Sequence, residues 1–110
     1  MIHDVDGARF AWRECGDGSI VALFHGLGGS RISWEPQLHG LSDRWRVAAW
    51  DLPGYGNSAP LPDEPYTFHA LASAAAGWLT ELGAREVHVV GISMGGMIAQ
   101  YLACDVAGHA

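Results

Sequence analysis

The stretch Gly91-Ile92-Ser93-Met94-Gly95 decides the fold of this chain. It follows the short apolar run Val87-His88-Val89-Val90, which is typical of a strand, and it opens a segment, residues 95–104, that is typical of a helix. A serine between two glycines at a strand-to-helix turn adopts a strained backbone conformation that lifts its hydroxyl above the sheet edge. Backbone passing close by leaves room only for glycine at the flanking positions, Gly91 and Gly95. The pattern therefore predicts Ser93 as a nucleophile.

A second glycine-rich turn complements the first. The apolar run of residues 19–24 indicates a strand buried on both faces, and it leads into His25-Gly26-Leu27-Gly28-Gly29-Ser30. A serine that attacks a carbonyl group needs N–H donors for the oxyanion of the tetrahedral intermediate. The candidate donors are the backbone N–H groups of Leu27 and Met94. Gly26 and Gly28 would let the Leu27 backbone approach a substrate without a Cβ clash.

A phosphate-binding loop is the competing interpretation of this second turn, and two observations argue against it. Arg31 stands where the dinucleotide-binding pattern needs glycine or alanine, and the chain has no lysine for a Walker loop. The missing lysine also excludes a Schiff-base mechanism.

Composition excludes several further classes of function. The net charge is −6 and no basic cluster occurs, which argues against nucleic acid and anionic membranes as partners. The histidines have no metal-ligand spacing, and Cys15 and Cys104 are isolated, so we expect no metal site, no cofactor and two reduced thiols. No apolar run approaches ~18 residues and the N-terminus lacks a signal-peptide pattern, which predicts a soluble, cytoplasmic protein.

The remaining segments alternate between strand and helix patterns. Strands are predicted at residues 8–14, half-exposed, and at 46–50, buried. A short helix is predicted at residues 34–41 with Ser33 as its N-cap, and the clearest helix at residues 67–82, between Thr67 and Gly83. Residues 53–65 are predicted to be a surface loop. This alternation predicts a single α/β domain over residues 1–110, a mostly parallel sheet with helices on both faces.

The third motif, Asp51-Leu52-Pro53-Gly54-Tyr55-Gly56-Asn57-Ser58, completes a resemblance. The H-G-x-G, D-x-x-G-x-G-x-S and G-x-S-x-G motifs, in this order, resemble the N-terminal half of an α/β-hydrolase over about residues 10–103. Ser-Met-Gly-Gly followed by Met-Ile-Ala-Gln is similar to the esterase, enol-lactonase and carbon–carbon-bond hydrolase branch. The resemblance implies cleavage of a small-molecule ester or lactone through an acyl-Ser93 intermediate, with carbon–carbon-bond hydrolysis as the alternative. Trp34, Met94 and Met97 are candidates to line an acyl pocket, with simple core packing open for Trp34 and Met97.

The base that would activate Ser93 is not evident. In the family this base is a histidine C-terminal to the serine, oriented by an aspartate, so His25 and Asp51 are expected to support loops instead. Asp105 and His109 are the nominal candidates, but the far end of the elbow helix lies ~15 Å from Ser93. We therefore expect an incomplete α/β-hydrolase domain that is inactive alone. A non-catalytic remnant or interaction module is the alternative, and the oligomeric state stays open.

Overall fold

Five strands form one sheet in the computed structural model, which describes residues 1–61 and 66–107. The strand order is β1-β2-β4-β3-β5; β4, β3 and β5 are parallel, and β1 and β2 add antiparallel pairs at one edge. The strands are β1 (His3–Asp6), β2 (Ala11–Cys15), β3 (Ile20–Phe24), β4 (Arg46–Trp50) and β5 (Val87–Gly91). The carboxyl ends of the three parallel strands meet at one edge of the sheet, and all three predicted motifs begin there.

Helices cover both faces of this sheet, which confirms the predicted α/β architecture. A short 3₁₀ helix (Arg31–Trp34) leads into α1 (Glu35–Leu41), whose buried Leu38 packs with apolar residues on one face of β3 and β4. The helices α2 (Phe68–Glu81) and α3 (Met94–Ala107) pack against the other face and against each other.

An aromatic cluster fixes α2 against the centre of the sheet. Trp50 of β4 stacks on Trp78 of α2 with ring centroids 5.4 Å apart, and the Phe24 ring meets their edges at 5.0 and 5.8 Å. Such pairs contribute about 0.5–1.5 kcal/mol each beyond the burial of their area. Because Phe24 ends β3 and Trp50 ends β4, the cluster holds the ends of the two strands that lead into the His25–Ser30 turn and the Asp51–Ser58 motif.

The structure corrects the predicted N-terminal strand. The strand at residues 8–14 was expected to be half-exposed, but β2 begins at Ala11 and is largely buried because it lies between β1 and β4. The strand β1 was not predicted, since its alternating aspartates suit an edge strand only when a partner neutralises them. Arg13 of β2 provides that partner, with its Nε 2.8 Å from the Asp4 carboxylate.

Two other predicted boundaries also change. Ser33 does not cap α1; its Oγ accepts the Ser30 N–H in a capping box that begins the 3₁₀ helix, and α1 starts at Glu35. The loop predicted at residues 53–65 is partly buried, because Ser58 Oγ accepts the Ala11 N–H at 2.9 Å and donates to Asp51 O at 2.6 Å. Residues 62–65 of that loop lie outside the described residues. The predicted cap of α2 is confirmed, since Thr67 Oγ1 accepts the Ala70 N–H.

Candidate active site

The turn between β5 and α3 carries Ser93 in a left-handed conformation. Its φ is 56°, and of the residues that the structure describes it is the single non-glycine with positive φ. A Cβ on Gly91 would overlap the backbone of Gly95, and a Cβ on Gly95 would overlap the carbonyl oxygen of Phe24. Alanine could therefore occupy neither flanking position without a backbone shift, which is the geometry that the sequence pattern requires.

The second glycine turn lies directly beside Ser93. Parallel pairing of β3 with β5 places Phe24 opposite Gly91, so the segments that leave the two strands run side by side. A Cβ on Gly26 would lie 3.1 Å from Ser93 Cβ and 3.7 Å from Ser93 Oγ. Even a methyl group at position 26 would crowd the serine, which explains a glycine there.

The two proposed oxyanion donors flank this contact. Within the described part of the chain, neither the Leu27 N–H nor the Met94 N–H donates to another residue. The Leu27 side chain is 76% exposed, and Gly28 next to it has a φ of +81°. Both N–H groups are thus available to a ligand, and their role at an oxyanion remains a prediction.

His25 is buried and bound on both ring nitrogens. Its Nε2 accepts the Leu52 N–H at 2.9 Å, so Nδ1 carries the proton and donates to Gly26 O at 2.8 Å. The ring therefore joins the turn after β3 to the turn after β4. It has no free nitrogen for Ser93, in agreement with the supporting role expected for it.

Asp51 is buried and shapes the turn after β4. Its carboxylate accepts the Arg31 N–H at 2.9 Å and the Asn57 N–H at 3.1 Å, and Arg31 Nε lies 3.4 Å from Oδ2. The Arg31 guanidinium also reaches Asp6 of β1 at 3.2 Å. The Arg31–Asp51 pair fastens the Leu27 loop to the sheet, a contact that joins residues 20 positions apart and has no local signal in the sequence.

A general base for Ser93 is not found among the described residues. Ser93 is exposed, and its hydroxyl has no hydrogen-bond partner within residues 1–61 and 66–104. The side chain of Asp105 and the whole of His109 lie outside the described residues. In the same described part of the chain, no three His, Cys, Asp or Glu side chains come together as a metal site would require.

A cavity of about 160 Å³ adjoins the elbow. Of the three candidates for an acyl pocket, Met94 lines this cavity, whereas Trp34 packs on the opposite face of the sheet and Met97 is 41% exposed. The lining residues are Leu52, Tyr55, Tyr66, Phe68, Leu71 and Met94. Sequence reasoning missed the two tyrosines, because nothing in their spacing links the turn after β4 to the start of α2.

A larger depression, of about 470 Å³, lies at the opposite edge of the sheet, beside the amino end of β3, and carries none of the motifs. In the described residues, no helix has both the length and the apolar character needed to cross a bilayer.

Comparisons with known proteins agree with this geometry. The model of the alpha/beta hydrolase fold family matches residues 20–108. The chain is 42% identical over 103 residues to the dihydrolipoyllysine-residue acetyltransferase component of the acetoin cleaving system of Cupriavidus necator, covering 93% of this chain and 27% of that protein. It is 37% identical over 106 residues to a protein of Caulobacter segnis that bears the name carbamate hydrolase RutD, and the match covers 96% of this chain and 38% of that protein.

A solved structure extends the likeness to three dimensions. The N-acyl homoserine lactonase AidH, in complex with N-butanoyl homoserine, superposes with a TM-score of 0.82 at 32% identity, covering 96% of this chain and 40% of AidH. The chain spans 27–40% of the length of these three proteins. The matched family model, the three ordered motifs and the strained serine lead to one conclusion: this chain belongs to the α/β-hydrolase family.

Proposed function

We propose that this chain carries the nucleophile and the oxyanion donors of a serine hydrolase that cleaves small carboxylic esters or lactones without a metal or organic cofactor. The observation that supports the proposal most is the strained Ser93, exposed beside Gly26 and between two unused backbone donors. A hydroxyl in this position can reach a carbonyl carbon whose oxygen points at the N–H groups of Leu27 and Met94.

The proposed reaction proceeds through an acyl-enzyme. Ser93 Oγ bonds to the carbonyl carbon while its proton passes to a base, and the carbonyl electron pair moves to the oxygen. That pair then re-forms the C=O bond as the ester C–O bond breaks, and the alcohol leaves with the proton held by the base. Water repeats these steps on the acyl group, which releases the carboxylic acid and restores the serine.

The base must come from outside the described residues. Since the related proteins are more than twice as long as this chain, we place the histidine and its aspartate in a longer protein that contains residues 1–110, called here the complete enzyme. The 110 residues alone are then inactive and prone to self-association. Among the described residues no strand pairs with the outer side of the edge strand β5, and Val90 within it and Ile92 and Met97 after it are 41–60% exposed.

Two other functions fit some of the observations. Carbon–carbon-bond hydrolysis would use the same serine and the same oxyanion donors. A non-catalytic interaction module is favoured by one observation, the Ser93 hydroxyl that has no partner among the described residues.

Labelling with a fluorophosphonate probe tests the nucleophile. The complete enzyme and its Ser93→Ala variant are incubated with the probe, and mass spectrometry locates the adduct. We expect one adduct on Ser93 and none in the variant, together with ester hydrolysis that withstands EDTA. Labelling that persists in Ser93→Ala would refute the assignment. The 110-residue chain is assayed in parallel with nitrophenyl acetate, and serine-dependent turnover near the rate of the complete enzyme would refute its inactivity.

A further inference from the structure

The cavity beside Met94 has a defined chemical character. Its described walls are mainly apolar, and none of the described residues that line it is charged. Two phenol groups are the polar features among its described side chains, and the Tyr66 oxygen accepts the Leu61 N–H at 2.7 Å. A charged group would lose its hydration there and could gain no more from these described residues than hydrogen bonds with the two phenols, which disfavours its binding.

The size of the cavity limits what can enter it. A dry apolar cavity of about 150 Å³ holds one benzene molecule. The cavity here has about the same volume, 160 Å³, so it accommodates a group of about six carbon atoms. Longer chains would have to leave it or displace its walls.

The position of the cavity indicates which part of a substrate enters it. Leu52 and Leu71, which are 1% and 4% exposed, are its most buried lining residues, and Met94, which also lines it, directly follows Ser93 in the chain. With an open-chain ester the alcohol departs before water attacks, and with a lactone its hydroxyl stays on the acyl group; in both cases the acyl group stays bound to the serine until water releases it. A cavity whose lining includes the residue after Ser93 therefore suits the acyl group.

Resting on the proposed function, we infer that the cavity lined by Leu52, Tyr55, Tyr66, Phe68, Leu71 and Met94 binds the acyl group and selects short, uncharged acyl chains of about four to six carbons. Leu71 is assigned to limit the chain length, because it is the more buried of the two residues of α2 that line the cavity. Burial of each added methylene should raise kcat/KM by about fourfold until the cavity is full.

A chain-length profile of the complete enzyme tests this inference. The kcat/KM values are measured for nitrophenyl esters from acetate to dodecanoate, for the wild type and for Leu71→Ala. We expect a maximum between butanoate and hexanoate in the wild type. Leu71→Ala removes three carbons from the wall and should move the maximum by about three carbons towards longer chains.

Leu79→Ala is the matched control. Leu79 lies on the same helix and is buried to a similar degree, but it does not line the cavity. This variant should lose stability and leave the position of the maximum unchanged. If Leu71→Ala does not fold, Phe68→Ala, which truncates a half-buried lining residue, takes its place.

The outcomes separate the two levels of the proposal. Hydrolysis that depends on Ser93 but peaks at acetate or dodecanoate, or a maximum that lining variants do not move, overturns the inference and leaves the proposed function intact. A length preference that appears only when the alcohol is varied overturns the acyl assignment. No Ser93-dependent hydrolysis of any ester overturns the proposed function, and the inference with it.

Discussion

Gly95→Ala and Gly40→Ala are the same chemical change in two helices, and the structure predicts opposite effects on stability. Gly95 is the second residue of α3, where α3 begins against the end of β3. An added Cβ would overlap the carbonyl oxygen of Phe24 and would lie 2.6 Å from the carbonyl oxygen of His25. Gly40 lies in α1, and a Cβ there meets no atom within 4 Å.

The two variants share one energetic term and differ in another. Replacing glycine by alanine in a helix stabilises a protein by about 0.5–1 kcal/mol, which applies to both positions. Overpacking costs about 1–3 kcal/mol, and position 95 belongs at the upper end because the obstructing atoms are backbone rather than mobile side chain. Gly40→Ala should therefore gain about 0.5–1 kcal/mol, and Gly95→Ala should lose about 2 kcal/mol or more. Their difference, about 3 kcal/mol, measures the clash alone.

Urea unfolding of the complete enzyme, followed by tryptophan fluorescence, measures both free energies of unfolding. The buried Trp50 and Trp78 provide the signal, because they become exposed to water on unfolding. If the free energy of unfolding falls equally steeply with urea concentration in wild type and in both variants, their unfolding midpoints can be compared directly. A Gly95→Ala protein as stable as Gly40→Ala would show that α3 does not approach β3 as described, and the reasoning on the elbow would fail with it.

Two further predictions concern the oxyanion loop and acid stability. Leu27→Pro removes the backbone N–H donor and should lower kcat of the complete enzyme by about 10²–10³, whereas Leu27→Met, which keeps the donor, should have a mild effect. A proline variant that circular dichroism shows to be folded and that keeps a near-normal kcat would reject the Leu27 N–H as an oxyanion donor. Hydrogen bonds from Arg46, and to a smaller extent from Trp12, hold the pKa of Glu14 below its ordinary value of 4.5. As the pH falls, the Glu14 carboxylate is therefore protonated in the unfolded chain before it is protonated in the folded protein. The contribution of Glu14 to the free energy of unfolding is lost as pH falls below about 4.5. Glu14→Gln should therefore have a lower urea unfolding midpoint than wild type at pH 7, and this difference should narrow in acid. Glu86→Gln, at an exposed position, should match wild type at every pH. A difference between Glu14→Gln and wild type that does not change with pH would contradict the lowered pKa of Glu14.

Local sequence patterns were sufficient to predict the parallel strands and the helix α2. Buried strands such as Arg46–Trp50, and the helix that Thr67 caps, were predicted because continuous apolar runs and 3.6-residue periodicity need no distant partner to be recognised. The elbow at Ser93 was predictable for the same reason. The glycines at positions 91 and 95 are recognisable within five consecutive residues, although only the conflict at position 91 is local and the one at position 95 is with the backbone of Phe24 and His25.

Features that depend on distant partners needed the tertiary structure. The strand β1 is stabilised by Arg13, and the Leu27 loop is fastened by the pair of Arg31 with Asp51. The first contact joins residues nine positions apart and the second joins residues 20 positions apart. An isolated aspartate or arginine has the same local pattern whether or not its partner is near.

The cavity beside Met94 is the clearest example of a feature that the sequence could not predict. Its walls come from the turn after β4, the start of α2 and the first residue of α3, three segments whose own sequences contain no common motif. The sequence alone determined that a serine between two glycines stands at a strand-to-helix turn, because the strand, the glycines and the helix pattern follow one another in a single segment. Only the packing of the helices against the sheet decided what volume lies beside it, because a cavity is the space that distant segments leave between them.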